Sequence, residues 1–160
     1  MFRELNDFIR NWEYEATSTQ KVLDQLTDES LQQKIAPDHW DLGGLAWHIV
    51  TTIHQMMSTV GLTLEPLKRG NDEPLSTQLI AQEYRNTSEN LIKAIKEQWD
   101  DDKLKEIHDF YGNMLPAGVI LLLLLQHQTH HRGQMTVLMR QSGLKVPGVY
   151  GPSKDEWAGV

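Results

Sequence analysis

Residues 116–143 read PAGVILLLLLQHQTHHRGQMTVLMRQSG, an apolar run that ends in three closely spaced histidines. That run, MLPAGVILLLLL counted from Met114, passes straight into polar QHQTHHR. A membrane span needs about 20 apolar residues, and this run is shorter, so it predicts a buried helix. Pro116 suits a first helical turn and Gly143 a C-terminal stop, which predicts one helix running to Ser142. Ile120, Leu124, His127, His131, Gln134 or Met135, and Leu138 then form one stripe, putting two imidazoles on the core face. Positions four apart lie about 40° apart around a helix, so His127 and His131 project side by side, while His130 points about 100° away from His131. Gly133, costly inside a helix, predicts close approach of a neighbouring segment.

The rest of the chain is also helical in pattern. Phe2, Leu5, Ile9, Trp12, Ala16, Thr19, Leu23 and Leu26 step by three and four along a first helix that ends near Thr27. TDESLQQKI reads as a short capped turn closed by Pro37, with Thr27 or Asp28 as the cap. Asp41 is a good N-cap for a second helix whose stripe is Leu42, Leu45, Ala46, Ile49, Ile53, Met56, Met57 and Val60, with Gly61 as its stop. LTLEPLKRGNDEP is the clearest loop, long enough to cross from one end of a bundle to the other. Ser76 or Thr77 restarts a third helix marked by Leu79, Ile80, Leu91, Ile92, Ile95 and Trp99. Its polar middle, EYRNTSEN, is available to face a site. An acidic linker, DDDKLKE, and a turn-like YGN lead to the fourth helix, and the tail after Gly143 reads as loop. No convincing alternating strand is present. The expectation is an all-α domain: an antiparallel four-helix bundle with one long crossover connection.

Composition narrows the function. The 160 residues are enough for one domain with a real core and too few for two. With 39% hydrophobic and 23% charged residues the chain is an ordinary globular sequence. The net charge of -7 and the lack of a Lys/Arg-rich stretch argue against nucleic acid as a partner. There is no cysteine, so neither a disulfide framework nor a thiolate zinc site nor a protein thiol nucleophile is available. Any metal must use nitrogen and oxygen ligands. MFRELNDFIRNWEYE has no apolar signal-peptide core, which makes the cytoplasm the expected compartment.

A helical i, i+4 histidine pair is either a metal site or a hydrogen-bonded piece of core, and a third ligand must decide. Of His39, His48, His54 and His108, only His48 and His54 fall well inside a predicted helix. They are six residues apart, roughly 120° around the axis, so one of them is a bystander.

HWDLGGLAWHIV (39–50), with His48 eight residues after Trp40, followed much later by HQTHHRGQMTVLMRQSG (127–143), closely resembles the DinB-like superfamily, which includes the YfiT-like proteins. Members share a Trp-Ser start to the second helix, with a histidine at this spacing, and a His-x-x-x-His-Arg-x-Gln segment in the fourth; here Asp41 replaces the usual Ser. The resemblance covers nearly the whole chain, from the first helix to the PGVYGP tail. It implies one DinB-like domain over 1–160, with a metal triad on His48, His127 and His131. Three neutral imidazoles would leave a divalent ion, zinc or nickel, with an open position and able to lower the pKa of bound water to about 7. Some relatives are transferases using bacterial low-molecular-weight thiols, which would explain how a chain without cysteine does thiol chemistry. Gln55, Thr51 and Gln134 are candidates to orient a ligand imidazole, and Arg132 to bind an acidic substrate group or form a solvent-facing or interface salt bridge. Trp40, Trp47 and Tyr150 read as core or lid. The resulting expectation is a metal-dependent small-thiol S-transferase or hydrolase acting on a small molecule, as a homodimer. The alternative is a non-catalytic metal-binding protein or a stress-induced dimeric bundle.

Overall fold

The computed structural model describes residues 2–69 and 75–157 of the chain. The part of the LTLEPLKRGNDEP connection at 70–74 lies outside the described residues. Four long helices dominate: α1 (Leu5–Leu23), α2 (Leu42–Thr59), α3 (Thr77–Gln98) and α4 (Ala117–Gln141). Short 3-10 turns at Asp28–Gln32 and Asp101–Lys105 sit between them. Helix α1 packs against α3 and α4, and α2 against α3 and α4.

The helix ends follow the expected chemistry. The Asp41 carboxylate accepts the Gly44 N–H at 2.7 Å to open α2, and the Ser76 hydroxyl accepts the Leu79 N–H at 3.2 Å to open α3. Gly61 and Gly143, just past the ends of α2 and α4, take the left-handed φ of 73° and 77° that a side chain would resist. Thr27 caps the first 3-10 turn in a reciprocal box with Ser30, while the Asp28 carboxylate instead accepts from Thr77, tying that turn to the start of α3. Helix α1 ends at Leu23, one turn before the expected Thr27.

The expectation of a chain without strands is corrected. Ile107–Phe110 (β1) and Asn113–Pro116 (β2) form an antiparallel hairpin, with Phe110 opposite Asn113. Its strands are four residues long, too short for a visible alternation, and β2 consumes the start of the apolar run, so α4 begins at Ala117 with Pro116 as its N-cap. Tyr111 and Gly112 make a two-residue turn with both φ values positive, 52° and 85°, as a type I′ hairpin requires. The Asp109 carboxylate accepts the Gly112 N–H at 2.7 Å. The fold is therefore four helices with a small two-stranded sheet.

Phe8, Trp12, Leu42, Ile49, Met57, Ile80, Leu91, Ile95, Ile120 and Leu124 are fully buried. At about 1.5–3 kcal/mol for each large apolar side chain, this core outweighs the exposed ion pairs. The polar middle of α3 does not face the histidines; it builds a polar layer within the core. The Trp12 indole N–H donates to the Ser88 hydroxyl at 2.9 Å, and the Tyr84 hydroxyl donates to the Gln128 Oε1 at 2.8 Å. Burial pushes the Tyr84 pKa far up, so its proton stays in that bond.

Arg132 completes the layer: it does form a salt bridge, with Glu15, but a buried one rather than one facing solvent. Its side chain is neither at the surface nor open to a substrate: the residue is 2% exposed. Its guanidinium donates to the Glu15 carboxylate at 2.7 Å, the Glu15 carbonyl at 3.1 Å, the Thr19 hydroxyl at 3.0 Å and the Tyr150 hydroxyl at 2.6 Å. Among the described residues nothing lies within 4 Å of where a Cβ on Gly133 would stand, so none of them makes the expected close approach. A buried cation stripped of its carboxylate is strongly destabilising, so Glu15→Ala is expected to lower unfolding free energy by about 3 kcal/mol or more. Arg10→Ala, in an exposed pair with Asp7, should leave the denaturant midpoint in place.

Candidate metal centre

Helices α2 and α4 lie against each other, and three imidazoles meet between them. The His48 Nε2 lies 3.2 Å from the His127 Nε2, and the His131 Nε2 lies 3.1 Å from the same atom. One nitrogen from each of the three residues falls within 4.8 Å of the other two. His127 and His131 come from successive turns of α4, as their spacing predicts, and His48 crosses from α2.

Hydrogen bonding does not account for this geometry. The Nε2 atom of a neutral imidazole carries either one proton or one in-plane lone pair, so it makes one good ring-to-ring hydrogen bond. The His127 Nε2 has two nitrogen neighbours near 3.1–3.2 Å. One proton or one lone pair cannot serve both neighbours well, so at least one of those contacts is left poorly satisfied by hydrogen bonding. Two ligand nitrogens about 2.0–2.1 Å from a shared tetrahedral ion are separated by about 3.3 Å. The spacing present fits a common cation.

Protonation points the same way. Burial, then the His131 charge, lowers the His48 pKa. Burial, then the charges of His131, His48 and His130, holds His127 down at about 4. Burial lowers His131 as well, partly opposed by Gln134. All three are thus held in the neutral form that ligates.

The surroundings sort the other candidates. The Gln134 Oε1 accepts from the His131 Nδ1 at 2.7 Å, which commits that ring to carrying its proton away from the cluster and leaves Nε2 its lone pair. Thr51 donates to the backbone carbonyls of Trp47 and His48 and does not reach an imidazole. Its neighbour Thr52, which the sequence reading missed, lies 3.3 Å from both ring nitrogens of His48 while donating to the His48 carbonyl at 2.6 Å, so it braces the ring. Gln55 is exposed and lines a cleft beside the cluster. His54 is the bystander of the second helix, with its Nε2 2.9 Å from the Glu65 carbonyl. His108 sits in the hairpin next to Glu106, and His130 is exposed beside His131.

Trp40 is a lid rather than core. The residue is 55% exposed, and its ring centroid lies 4.6 Å from that of His48 and 6.3 Å from that of His131. The loop 33–41 holds it there through an antiparallel backbone pairing of Lys34 with Asp41 and a Leu42 N–H donated to the Gln33 carbonyl at 2.9 Å. Two clefts flank the cluster. One, of about 540 Å³, runs past Trp40, Ile35 and Val137 to His131. The other, of about 470 Å³, opens on His48 and His127 beneath the hairpin.

The model of the DinB family matches residues 1–159. The chain belongs to the DinB family. It is 49% identical to the Bacillus subtilis protein YrdA, described as uncharacterized, over 158 residues that cover 99% of this chain and 95% of that one. It is also similar to a DinB-like protein of known crystal structure from Bacillus cereus, at a TM-score of 0.88 and 49% identity, covering 94% of this chain and 100% of the other. The crystal structure of the DinB-like protein YjoA from Bacillus subtilis gives a TM-score of 0.70 at 18% identity over 89% of this chain and 97% of its own, a likeness of fold. The resemblance drawn from the two histidine segments is thereby confirmed at the level of family. No helix among the described residues is long and apolar enough to cross a membrane.

The lowered imidazole pKa values set a pH dependence. In the unfolded chain the three histidines titrate near 6.5, about the usual histidine value, while folding holds His127 at about 4. Between those values the unfolded state binds more protons, so metal-free protein should lose stability as pH falls from about 6.5 toward 4. Thermal midpoints across that window check this, and His127→Gln should flatten the slope.

Proposed function

We propose that the chain is a divalent-metal-dependent enzyme that transfers a small thiol to an electrophilic small molecule or hydrolyses a small amide-like bond. The observation that carries this reading is the convergence of the His48, His127 and His131 Nε2 atoms at a spacing suited to one cation, with clefts on either side. His48, His127 and His131 would hold a zinc or nickel ion, which would supply Lewis acidity toward a water or thiol near pH 7.

The protein's own residues prepare the place. Gln134 selects the His131 tautomer, Thr52 braces His48, and Trp40 walls one edge against water. Burial keeps the imidazoles unprotonated. In thiol transfer a sulfur–carbon bond forms, the leaving group departs with the electron pair of its bond to carbon, and the S–H proton passes to solvent. The chain has no cysteine, so the thiol comes from outside, as a low-molecular-weight co-substrate.

The same reading takes the four helices as an antiparallel bundle joined by the long 61–76 connection, supported by the packing of α1 and α2 each against both α3 and α4. It takes the protein to be cytoplasmic, where such thiols stay reduced, and homodimeric, as the family resemblance suggests; light scattering of the purified protein tests the dimer. The non-catalytic alternative keeps the metal and drops the turnover.

Elemental analysis of protein purified without an affinity tag should find about one metal ion per chain, lost in His48→Ala and in His131→Ala. Metal content unchanged in both variants rejects the triad. Mixing the loaded protein with small thiols and electrophiles should give metal-dependent thiol consumption, and none across such a panel would favour the passive binder.

A further inference from the structure

Tyr111 stands in a conformation its side chain resists. Among the described residues it is the one non-glycine with positive φ, at 52°. The first central position of a type I′ turn favours Asn, Asp or Gly, each of which adopts this backbone more easily than a large aromatic residue. Packing does not repay the strain, because Tyr111 is 70% exposed. What the conformation does achieve is placement. The Tyr111 ring lies edge-on to Phe110, with centroids 4.7 Å apart at 68°, and both residues line the cleft that opens on His48 and His127. Met56 and Leu123 line it as well.

We infer that this hairpin cleft is a binding site for a planar aromatic small molecule, with Tyr111 as the residue that selects it. Edge-to-face aromatic rings and a polarizable thioether suit a flat, electron-poor ring, and strain retained at a cleft is what a functional demand on that side chain would leave. The cleft's volume of about 470 Å³ accommodates a molecule of one or two rings. The Gln55 and Gln126 amides, also in its lining, can donate hydrogen bonds to oxygen substituents on such a ring. The clefts reach different members of the histidine cluster, His131 from the Trp40 side and His48 with His127 from the hairpin side. Two small molecules can therefore approach from separate directions. That the aromatic molecule is the electrophile of a thiol transfer rests on the function proposed above; its binding in the cleft does not.

The test uses 1,3-dinitrobenzene, an unreactive flat electron-poor ring, titrated into the full chain by calorimetry with and without bound zinc. Saturable binding is expected in both forms. Tyr111→Asn, which gives the turn its favoured Asn-Gly pair, should weaken binding about tenfold while the thermal midpoint stays level or rises. Tyr111→Phe should keep affinity within about twofold, since the ring is retained. Met114→Ser, on the same hairpin but outside the cleft, should bind as the parent does. A merely structural Tyr111 predicts undiminished affinity in Tyr111→Asn, and that result overturns the inference, as does failure of the parent protein to bind the probe. Normal probe binding without metal-dependent turnover counts against the proposed enzyme and leaves the cleft assignment standing.

Discussion

Helix α4 carries two i, i+4 rows side by side, and the buried one determines where the other points. Gln128 and Arg132 form the inner row, fully buried and bonded to Tyr84, Glu15, Thr19 and Tyr150. His127 and His131 form the adjacent row, about 100° away around the axis. A helix held only by leucines can rotate or slide by small amounts at little cost, because apolar packing is not directional. A guanidinium donating to four oxygens on α1 and the C-terminal tail has no such freedom, since any rotation would leave a buried charge short of partners. The ion pair thus sets the rotation of α4 and with it the direction in which the two imidazoles face α2.

The crowding of imidazoles follows from that constraint. Three nitrogens at hydrogen-bonding distance, where one of them has a single proton or lone pair to offer two neighbours, are poorly satisfied by the protein alone. The fold tolerates this because α2 and α4 are locked by the core around them, with Ile49, Ile53, Leu124 and Met135 fully buried. Rigid packing of this kind preorganises ligands that would otherwise repel or protonate, and desolvation holds them neutral at the same time.

Much of this was legible in the residues, for identifiable reasons. Capping chemistry is local, so Asp41, Ser76, Gly61 and Gly143 marked their helix ends correctly. The i, i+4 spacing of His127 and His131 carried through because helical geometry leaves it little choice. The inclusion of His48 came from the family resemblance, since helical phase excluded His48 and His54 as joint ligands without choosing between them. The errors concern relations that depend on tertiary contacts. Arg132 adjoins the histidines in sequence but turns inward, because Glu15, more than a hundred residues away, supplies the charge it needs. Thr51 and Thr52 are one residue and about 100° apart, and a sequence without coordinates does not say which of them faces an imidazole. Gly133 was read for a contact that none of the described residues makes. The hairpin was hidden because its strands are only four residues long: YGN read correctly as a turn, but the residues beside it are too few to show an alternation.

That hidden hairpin bears on what the histidine cluster is for. Without it, the side of α4 carrying Leu123, Gln126 and His130 would form an open surface next to His127. With it, Phe110 and Tyr111 roof that surface and turn it into a cleft that opens on His48 and His127. On the opposite side the bridged loop 33–41 does the same with Trp40. Both roofs are short, separately braced segments outside the helical core, the hairpin through its ladder and the Asp109 cap, the loop through its Lys34–Asp41 backbone pairing. Substitutions in either can therefore reshape access to the histidines while the Gln128–Arg132 row keeps those histidines in place. Under the function proposed above, a scaffold divided in this way would separate the chemistry, held by α2 and α4, from the choice of molecule, held by the two roofs.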